Sequence, residues 1–412
     1  MMQDRAELVV IGAGQAALTL AESLRRAGDQ RSIALLGEEA HPPYQRPPLS
    51  KAYLSGKMEK ERLWLKPHAW YVENDITLLT QWQAHALDRQ AREVISTDGR
   101  RFGYETLVLA TGSRPRSFPE NLGGALPGVH TLRGIDDIDR LEPELAEAHR
   151  LVVVGGGYIG LEAAAIARMQ GLQVTLVEAA PRILARVACD ITADMMRDLH
   201  SAQGVTLREG VGVDQIMPGP TGAVEEVRLS DGTRCPADIV IIGIGALAND
   251  ALAREAGLEC LDTAGGGVLV DALCRSSDPA IYAIGDAAAF PIAGRMMRLE
   301  SVQNACDQAR ALANTLQGNA SAYAPTPWFW SDQYDRKLQI AGLNIGADNT
   351  IFRPGPRPGT GSVWYFRGTT LLAVDALSDP RAYMTGKRWL EQGISPSPDE
   401  VRDPEADLKA AV

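Results

Sequence analysis

The chain has 412 residues, 45% hydrophobic and 23% charged, with 41 Lys and Arg against 52 Asp and Glu for a formal net charge of −11. This is the composition of a globular chain of two or three domains, which excludes a disordered, collagenous or disulfide-scaffold protein. The negative balance argues against nucleic acid as a partner, because neutralising phosphates takes clustered Lys and Arg.

Residues 8–14 read LVVIGAG, a buried-strand run that feeds a glycine turn. A helix is predicted over Gln15–Ala27, stopped by Gly28, and the next apolar run, Ile33–Leu36, leads to Glu38. Gly12 permits the tight turn, Gly14 lets a pyrophosphate approach the backbone, and Ala17 takes the helix-packing position. The free N–H groups and dipole of the helix start favour an anion, and Glu38 stands where an acid binds a ribose diol. Residues 42–51, PPYQRPPLSK, carry four prolines that forbid a regular helix and predict an extended loop. That loop is either a rigid connector or a device presenting Arg46 and Lys51 to an anion or an electron-rich ring. Residues 107–112, LVLATG, predict a strand ending in Thr111 and Gly112.

The opening then repeats 143 positions on, as LVVVGGG at 151–157. A helix over Tyr158–Met169, a stop at Gly171, a strand Val174–Val177 and the acid Glu178 follow in the same order. Gly155, Gly157 and Gly160 take the three glycine roles. A carboxylate at Glu178 accepts a 2′-hydroxyl and repels a 2′-phosphate, so NADH is expected over NADPH, although Arg182 and Arg186 lie near in sequence. Further on, IYAIGD at 281–286 ends an apolar run in Gly285 and Asp286, and PWFWSDQYD occupies 327–335. The five cysteines, Cys189, Cys235, Cys260, Cys274 and Cys306, are never closer than 14 residues and form no metal-ligand spacing. With no leader-like start and no apolar stretch longer than a strand, they predict a cytoplasmic protein without membrane insertion.

Two glycine fingerprints with LVLATG and IYAIGD in this order resemble the two-dinucleotide-domain flavoproteins of the glutathione reductase type. The segments RPPLSK, TLRGIDD (131–137), GGGYIGLE (155–162), ESVQNA (300–305) and PWFWSDQYD are similar to those of the oxygenase-coupled NADH–ferredoxin reductases. The resemblance implies an α/β fold with two Rossmann-like dinucleotide-binding domains, the NAD domain inserted in the FAD domain, and a C-terminal α+β domain. The boundaries expected are 1–114 and 247–324 for FAD, 115–246 for NAD(H) and 325–412 for the C-terminal domain.

The same resemblance assigns residues. Lys51 matches a lysine beside the flavin, where positive charge stabilises electron density developing on reduction. Glu162 and Glu300 match carboxylates near the nicotinamide carboxamide; the bland reading of Glu162 is a solvated helix face. Arg133 matches an FAD contact, Asp286 a ribityl–phosphate ligand, Val302 a backbone beside the isoalloxazine, and Ala84 a backbone contact to adenine. Trp330 matches a tryptophan between flavin and docking surface. Ala16, Arg46, Thr111, Gly112, Tyr158, Ile159, Gly245 and Gly285 complete the cofactor-binding set, and no metal is expected. Arg295, Arg298 and Arg310 are candidates for a positive patch facing an acidic ferredoxin. The implied activity is FAD-dependent NADH:ferredoxin oxidoreduction, with hydride passing from NADH to FAD and single electrons to a [2Fe–2S] ferredoxin. That ferredoxin would feed an oxygenase such as a cytochrome P450, with the reductase a monomer or weak dimer. Rubredoxin reductases share nearly the same motifs, so the acceptor stays open at the level of sequence. An NADH oxidase on this scaffold would use a cysteine where the prolines stand, and an NADH-sensing flavoprotein that binds partners is the remaining alternative.

Overall fold

The computed structural model describes residues 4–263 and 265–408. The first residues, where a leader would begin, and the end of the acidic tail at 395–412 lie outside the described residues. The chain gathers into two compact units. One takes the residues up to Gln45, Glu59–Arg114 and Ala246–Pro325; the other takes Arg46–Met58, Pro115–Gly245 and the chain from Thr326 on.

The first unit is built on a parallel sheet in which Ile76–Leu79, Ile33–Leu36, Arg5–Ile11 and Arg101–Leu109 lie side by side. The far edge of Arg101–Leu109 is shared. Its start pairs antiparallel with Glu93–Ser96, which forms a hairpin with Ala84–Asp88, and its end pairs in parallel with Ile281–Ala283. A strand that follows residue 280 thus completes a sheet begun at residue 5. Within the strand Arg5–Ile11, Leu8–Ile11 reads as a continuous apolar run because both faces are covered. Leu8 and Val10 pack with Leu18, Leu20 and Leu24 of the helix Gln15–Arg26, whereas Val9 and Ile11 pack with Leu107, Leu109 and Phe290.

The second unit holds a five-stranded parallel sheet in the order Thr206–Glu209, Gln173–Glu178, Arg150–Val154, Ile239–Ile242, Val129–His130. The helix Tyr158–Met169 joins Arg150–Val154 to Gln173–Glu178 and matches its predicted span. It is apolar nearly all round, and its alanines and Gly160 are buried, which suits a helix packed on more than one side. The same unit contains a five-stranded antiparallel sheet, Trp328–Gln333, Arg336–Gly342, Thr370–Leu377, Gly361–Arg367, Asn349–Pro354. The helix Pro380–Gln392 covers it, started by Pro380 and by Asp379, whose carboxylate accepts from the Ala382 N–H. Its Trp389 packs on Trp364, and Gly386 lets the helix approach Val374. The architecture is the α/β class expected. Among the described residues no helix is long and apolar enough to cross a membrane.

The loop after Pro42 departs from the expectation of extended chain. Pro47–Ser50 closes one turn of 3₁₀ helix. Proline tolerates a first turn, where its missing N–H would have no intrahelical partner, so the prolines here set a short turn rather than forbid one.

Candidate dinucleotide-binding and redox site

The two glycine turns share one geometry, each within its own unit. Gly12 has φ +105° and a Cβ there would lie 2.1 Å from the Ala110 carbonyl oxygen; Gly155 has φ +110° and a Cβ would lie 2.3 Å from that of Gly243. Both positions therefore admit only glycine. Gly14 and Gly157 differ. Each is the N-cap of its helix, without a side-chain cap, and a Cβ there meets nothing within 4 Å. What remains is an open approach to bare helix N–H groups, the setting a pyrophosphate needs. Gly160 packs its Cα side on the Gly155 carbonyl, where a Cβ would sit at 2.1 Å. Ala16 and Ala17 are buried in the first helix, and Ile159 is 52% exposed at the start of the second. The residues present fit a dinucleotide in each unit.

In the first unit the turns that end LVLATG and IYAIGD are held by side chains. Thr111 Oγ1 donates to the Asn249 carbonyl at 2.7 Å, while the Asn249 amide and backbone N–H groups donate to the carbonyls of Thr111 and Gly112 at 2.9 and 3.0 Å. Ser113 Oγ donates to Asp286 Oδ2 at 2.9 Å, and Arg298 donates to the Asp286 carbonyl at 2.7 Å. The Gly285 N–H, at φ +72°, donates to Gln308 Oε1 at 2.8 Å, and Gly285 packs against Ala16. The first fingerprint and IYAIGD thus meet. Glu38 is exposed just past its strand, Ala84 opens the hairpin, and Val302 follows the N-cap Ser301. Glu300, 41% exposed, pairs with Arg298 at 2.7 Å. Arg298, with a side chain 10% exposed, is used inside its own unit and is unavailable to a surface patch; Arg310 is exposed and pairs with Asp307 at 2.8 Å.

In the second unit Glu178 ends its strand with both oxygens engaged. Oε2 accepts from the Gly156 N–H and Oε1 from the Ala180 N–H, each at 2.7 Å. Arg182 is turned to Asp190 at 2.6 Å. The Gly245 carbonyl accepts from the Arg116 N–H at 2.9 Å, and Arg46 donates to the Arg133 carbonyl at 2.8 Å.

Glu162 is where the bland reading fails. Its side chain is only 6% exposed, and Lys51 Nζ lies 2.8 Å from Oε2. Ser50 Oγ donates to the same oxygen at 2.7 Å and Ser331 Oγ to Oε1 at 2.6 Å. A carboxylate buried with a lysine and two hydroxyls is an ionised, oriented group. Trp330 lies beside Trp328 and Phe329 on one strand, and Phe329 packs on Tyr158 with ring centroids 4.8 Å apart. The Tyr158 hydroxyl is buried with no partner among the described residues, and burial pushes its pKa well up. Of the three candidate catalytic residues, the structure brings Lys51 and Glu162 together; Glu300 belongs to the first unit. Ser50 and Ser331 were within reach of sequence reasoning, since each adjoins a residue singled out in RPPLSK or PWFWSDQYD. Asn249 and Gln308 lie outside every motif and carry no local signal.

The chain's residues 6–309 match the pyridine nucleotide-disulphide oxidoreductase family, and residues 328–412 match the reductase C-terminal family. Rhodocoxin reductase of Rhodococcus erythropolis is 42% identical over 98% of this chain and 94% of its own length. Putidaredoxin reductase of Pseudomonas putida is 38% identical over 100% and 98%. Among solved structures, the ferredoxin reductase for the CYP199A2 system from Rhodopseudomonas palustris superposes with a TM-score of 0.93 at 39% identity, covering 98% of this chain and 100% of that one. The covalent putidaredoxin reductase–putidaredoxin complex gives a TM-score of 0.93 at 39% identity, covering 98% and 97%. With its paired glycine cradles and its C-terminal sheet, the chain belongs to the pyridine nucleotide-disulphide oxidoreductase family and, within it, to the ferredoxin reductases.

Proposed function

We propose that this chain is an FAD-dependent NADH:ferredoxin oxidoreductase that supplies single electrons to a [2Fe–2S] ferredoxin serving an oxygenase such as a cytochrome P450. The observation that carries it is the end-to-end likeness to reductases of such systems, one of them solved joined to its putidaredoxin. Gly12, Gly14, Ala16, Ala17, Glu38, Ala84, Thr111, Gly112, Arg133, Gly285, Asp286 and Val302 would hold FAD, with Arg46 bracing Arg133 through its carbonyl. Gly155, Gly157, Tyr158, Ile159, Gly160, Glu178 and Gly245 would hold NADH. Bound FAD supplies the exchange between two-electron and one-electron chemistry. The protein's own part is electrostatic: Lys51, fixed by Glu162, places a positive charge for the reduced ring, and Glu300 is the second carboxylate for the carboxamide. Trp330 would stand on the electron's way out. The domain limits that go with this reading are 1–114 with 247–324 for FAD, 115–246 for NAD(H) and 325–412 for the C-terminal domain. Its five thiols, all free, support a cytoplasmic location.

NADH-dependent reduction of cytochrome c, measured with and without added ferredoxin, tests the proposal. The rate should rise in proportion to ferredoxin; a rate indifferent to it would remove the carrier from the reading.

A further inference from the structure

We propose that Ser331, Gln333 and His200 are positioning residues for the Lys51–Glu162 pair, acting through a chain of hydrogen bonds whose donors all point toward the Glu162 carboxylate. The inference rests on the reading of that pair as the charged group serving the cofactors.

The chain lies wholly within the second unit. Ser331 and Gln333 are two apart on the strand Trp328–Gln333, so both side chains leave the same face. That face meets the helix carrying Glu162 and the helix Asp190–Ala202 carrying His200. Ser331 Oγ lies 2.6 Å from Glu162 Oε1, Gln333 Nε2 lies 3.0 Å from Ser331 Oγ, and His200 Nε2 lies 2.7 Å from Gln333 Oε1. Tyr334 Oη ends the chain 3.4 Å from His200 Nδ1. Ser331, Gln333 and His200 are all buried.

Chemistry fixes the direction. An ionised carboxylate only accepts, so Ser331 donates its single proton to Glu162 and must itself accept from Gln333. Turning the Gln333 amide over would set its carbonyl against the Ser331 hydroxyl, whose proton is already committed. The carbonyl of Gln333 therefore faces His200, which has to donate from Nε2. Nε2 therefore carries a proton, and in the neutral ring Nδ1 is left to accept from the Tyr334 hydroxyl. Burial pushes the His200 pKa down, in keeping with a neutral ring. Every member has a single consistent role. Ser331 is the donor to Oε1, whereas Lys51 and Ser50 both serve Oε2. Without Ser331 the carboxylate loses the bond that holds its second oxygen, and with it the fixed rotamer that places the lysine.

The test uses the FAD-loaded, full-length protein. ¹⁵N NMR of histidine-labelled wild type, with the His200 signal identified by its loss in His200→Gln, should show an Nε2–H imidazole. A ring with no proton on Nε2 would overturn the chain. Ser331→Ala and Gln333→Leu should lower the flavin midpoint potential and slow flavin reduction by NADH about ten-fold, the size of one lost hydrogen bond to a buried charge. FAD content and NADH affinity should stay within about two-fold of wild type. Ser331→Thr, which keeps the hydroxyl, should restore both potential and rate. Wild-type values in both variants, or a threonine variant as impaired as the alanine one, would overturn the proposal. A wild-type holoprotein that NADH does not reduce would instead overturn the functional reading, with the tautomer still deciding the chain.

Discussion

At Glu178 the backbone has already claimed one lone pair on each carboxylate oxygen, through the N–H groups of Gly156 and Ala180. The bonds pin the carboxylate at the mouth of the glycine turn, where its charge opposes a 2′-phosphate and its remaining lone pairs can take ribose hydroxyls. Of the two nearby arginines, Arg182 is committed to Asp190 and Arg186 is exposed. Glu178→Ala should therefore lower kcat/KM for NADH about ten-fold and raise the NADPH-to-NADH preference by more than about ten-fold, read from steady-state kinetics with both nucleotides. A preference unmoved by the substitution would take Glu178 out of nucleotide selection. Arg298 makes the matching case in the first unit. Its guanidinium ties Glu300 to the carbonyl of Asp286. Arg298→Leu should weaken FAD retention by about ten-fold, followed by flavin fluorescence on dilution; unchanged retention would show that the Asp286 turn stands without it.

On the scale of one strand–turn–helix element, the fingerprint glycines divide into two kinds, one that makes the turn and one that leaves an open approach, and the motif's spacing already implies that division. What the letters GAG and GGG do not say is which distant backbone enforces the turn, the carbonyl of Ala110 in one unit and of Gly243 in the other. The structure separates the two kinds. Gly155 presses on the Gly243 carbonyl at positive φ, whereas Gly157 has nothing within 4 Å of its missing Cβ. Gly155→Ala should cost about 2–4 kcal/mol of stability from clash and backbone strain, visible as a lower denaturation midpoint. Gly157→Ala should leave that midpoint unchanged while weakening NADH binding, because its methyl would stand where the pyrophosphate approaches. Equal loss of stability in both would refute the division. Helix spans were easier to read, since apolar periodicity and a closing glycine are local signals: Gln15–Arg26 ends one residue short of expectation and Tyr158–Met169 as expected. The turn Pro47–Ser50 was missed because proline content is equally compatible with extended chain and with a first helical turn.

Across the whole chain, what the sequence withheld is long-range pairing of polar groups. Lys51 and Glu162 are 111 positions apart, and Thr192 and Asp375 are 183 apart. Apolar periodicity announces that a face is buried but says nothing of which lone polar residue will meet which. Thr192, Tyr365 and Asp375 stand in no motif, yet they form a buried cluster that fastens the helix Asp190–Ala202 to the C-terminal sheet. Asp375 Oδ2 accepts from Tyr365 Oη at 2.5 Å and from Thr192 Oγ1 at 2.8 Å. Burial pushes the Asp375 carboxyl up to about 6, against the downward pull of those two hydrogen bonds. The sign of the consequence follows from linkage. Below about pH 4 the group is protonated whether the chain is folded or unfolded, and adds no pH dependence. Between about pH 4 and 6 the folded chain holds a proton that the unfolded chain has released, so this group's contribution falls as pH rises. Above about pH 6 the full penalty, up to about 3 kcal/mol, persists. Asp375→Asn keeps an oxygen for both hydroxyls and never ionises. It also buries an amide N–H₂ at a fixed cost that does not vary with pH. Unfolding midpoints of variant and wild type should therefore diverge between about pH 4 and 6, the variant gaining on the wild type, and hold a constant difference well above about pH 6. A difference that stays flat from about pH 4 to 6 would mean that Asp375 is already ionised, or still protonated, throughout.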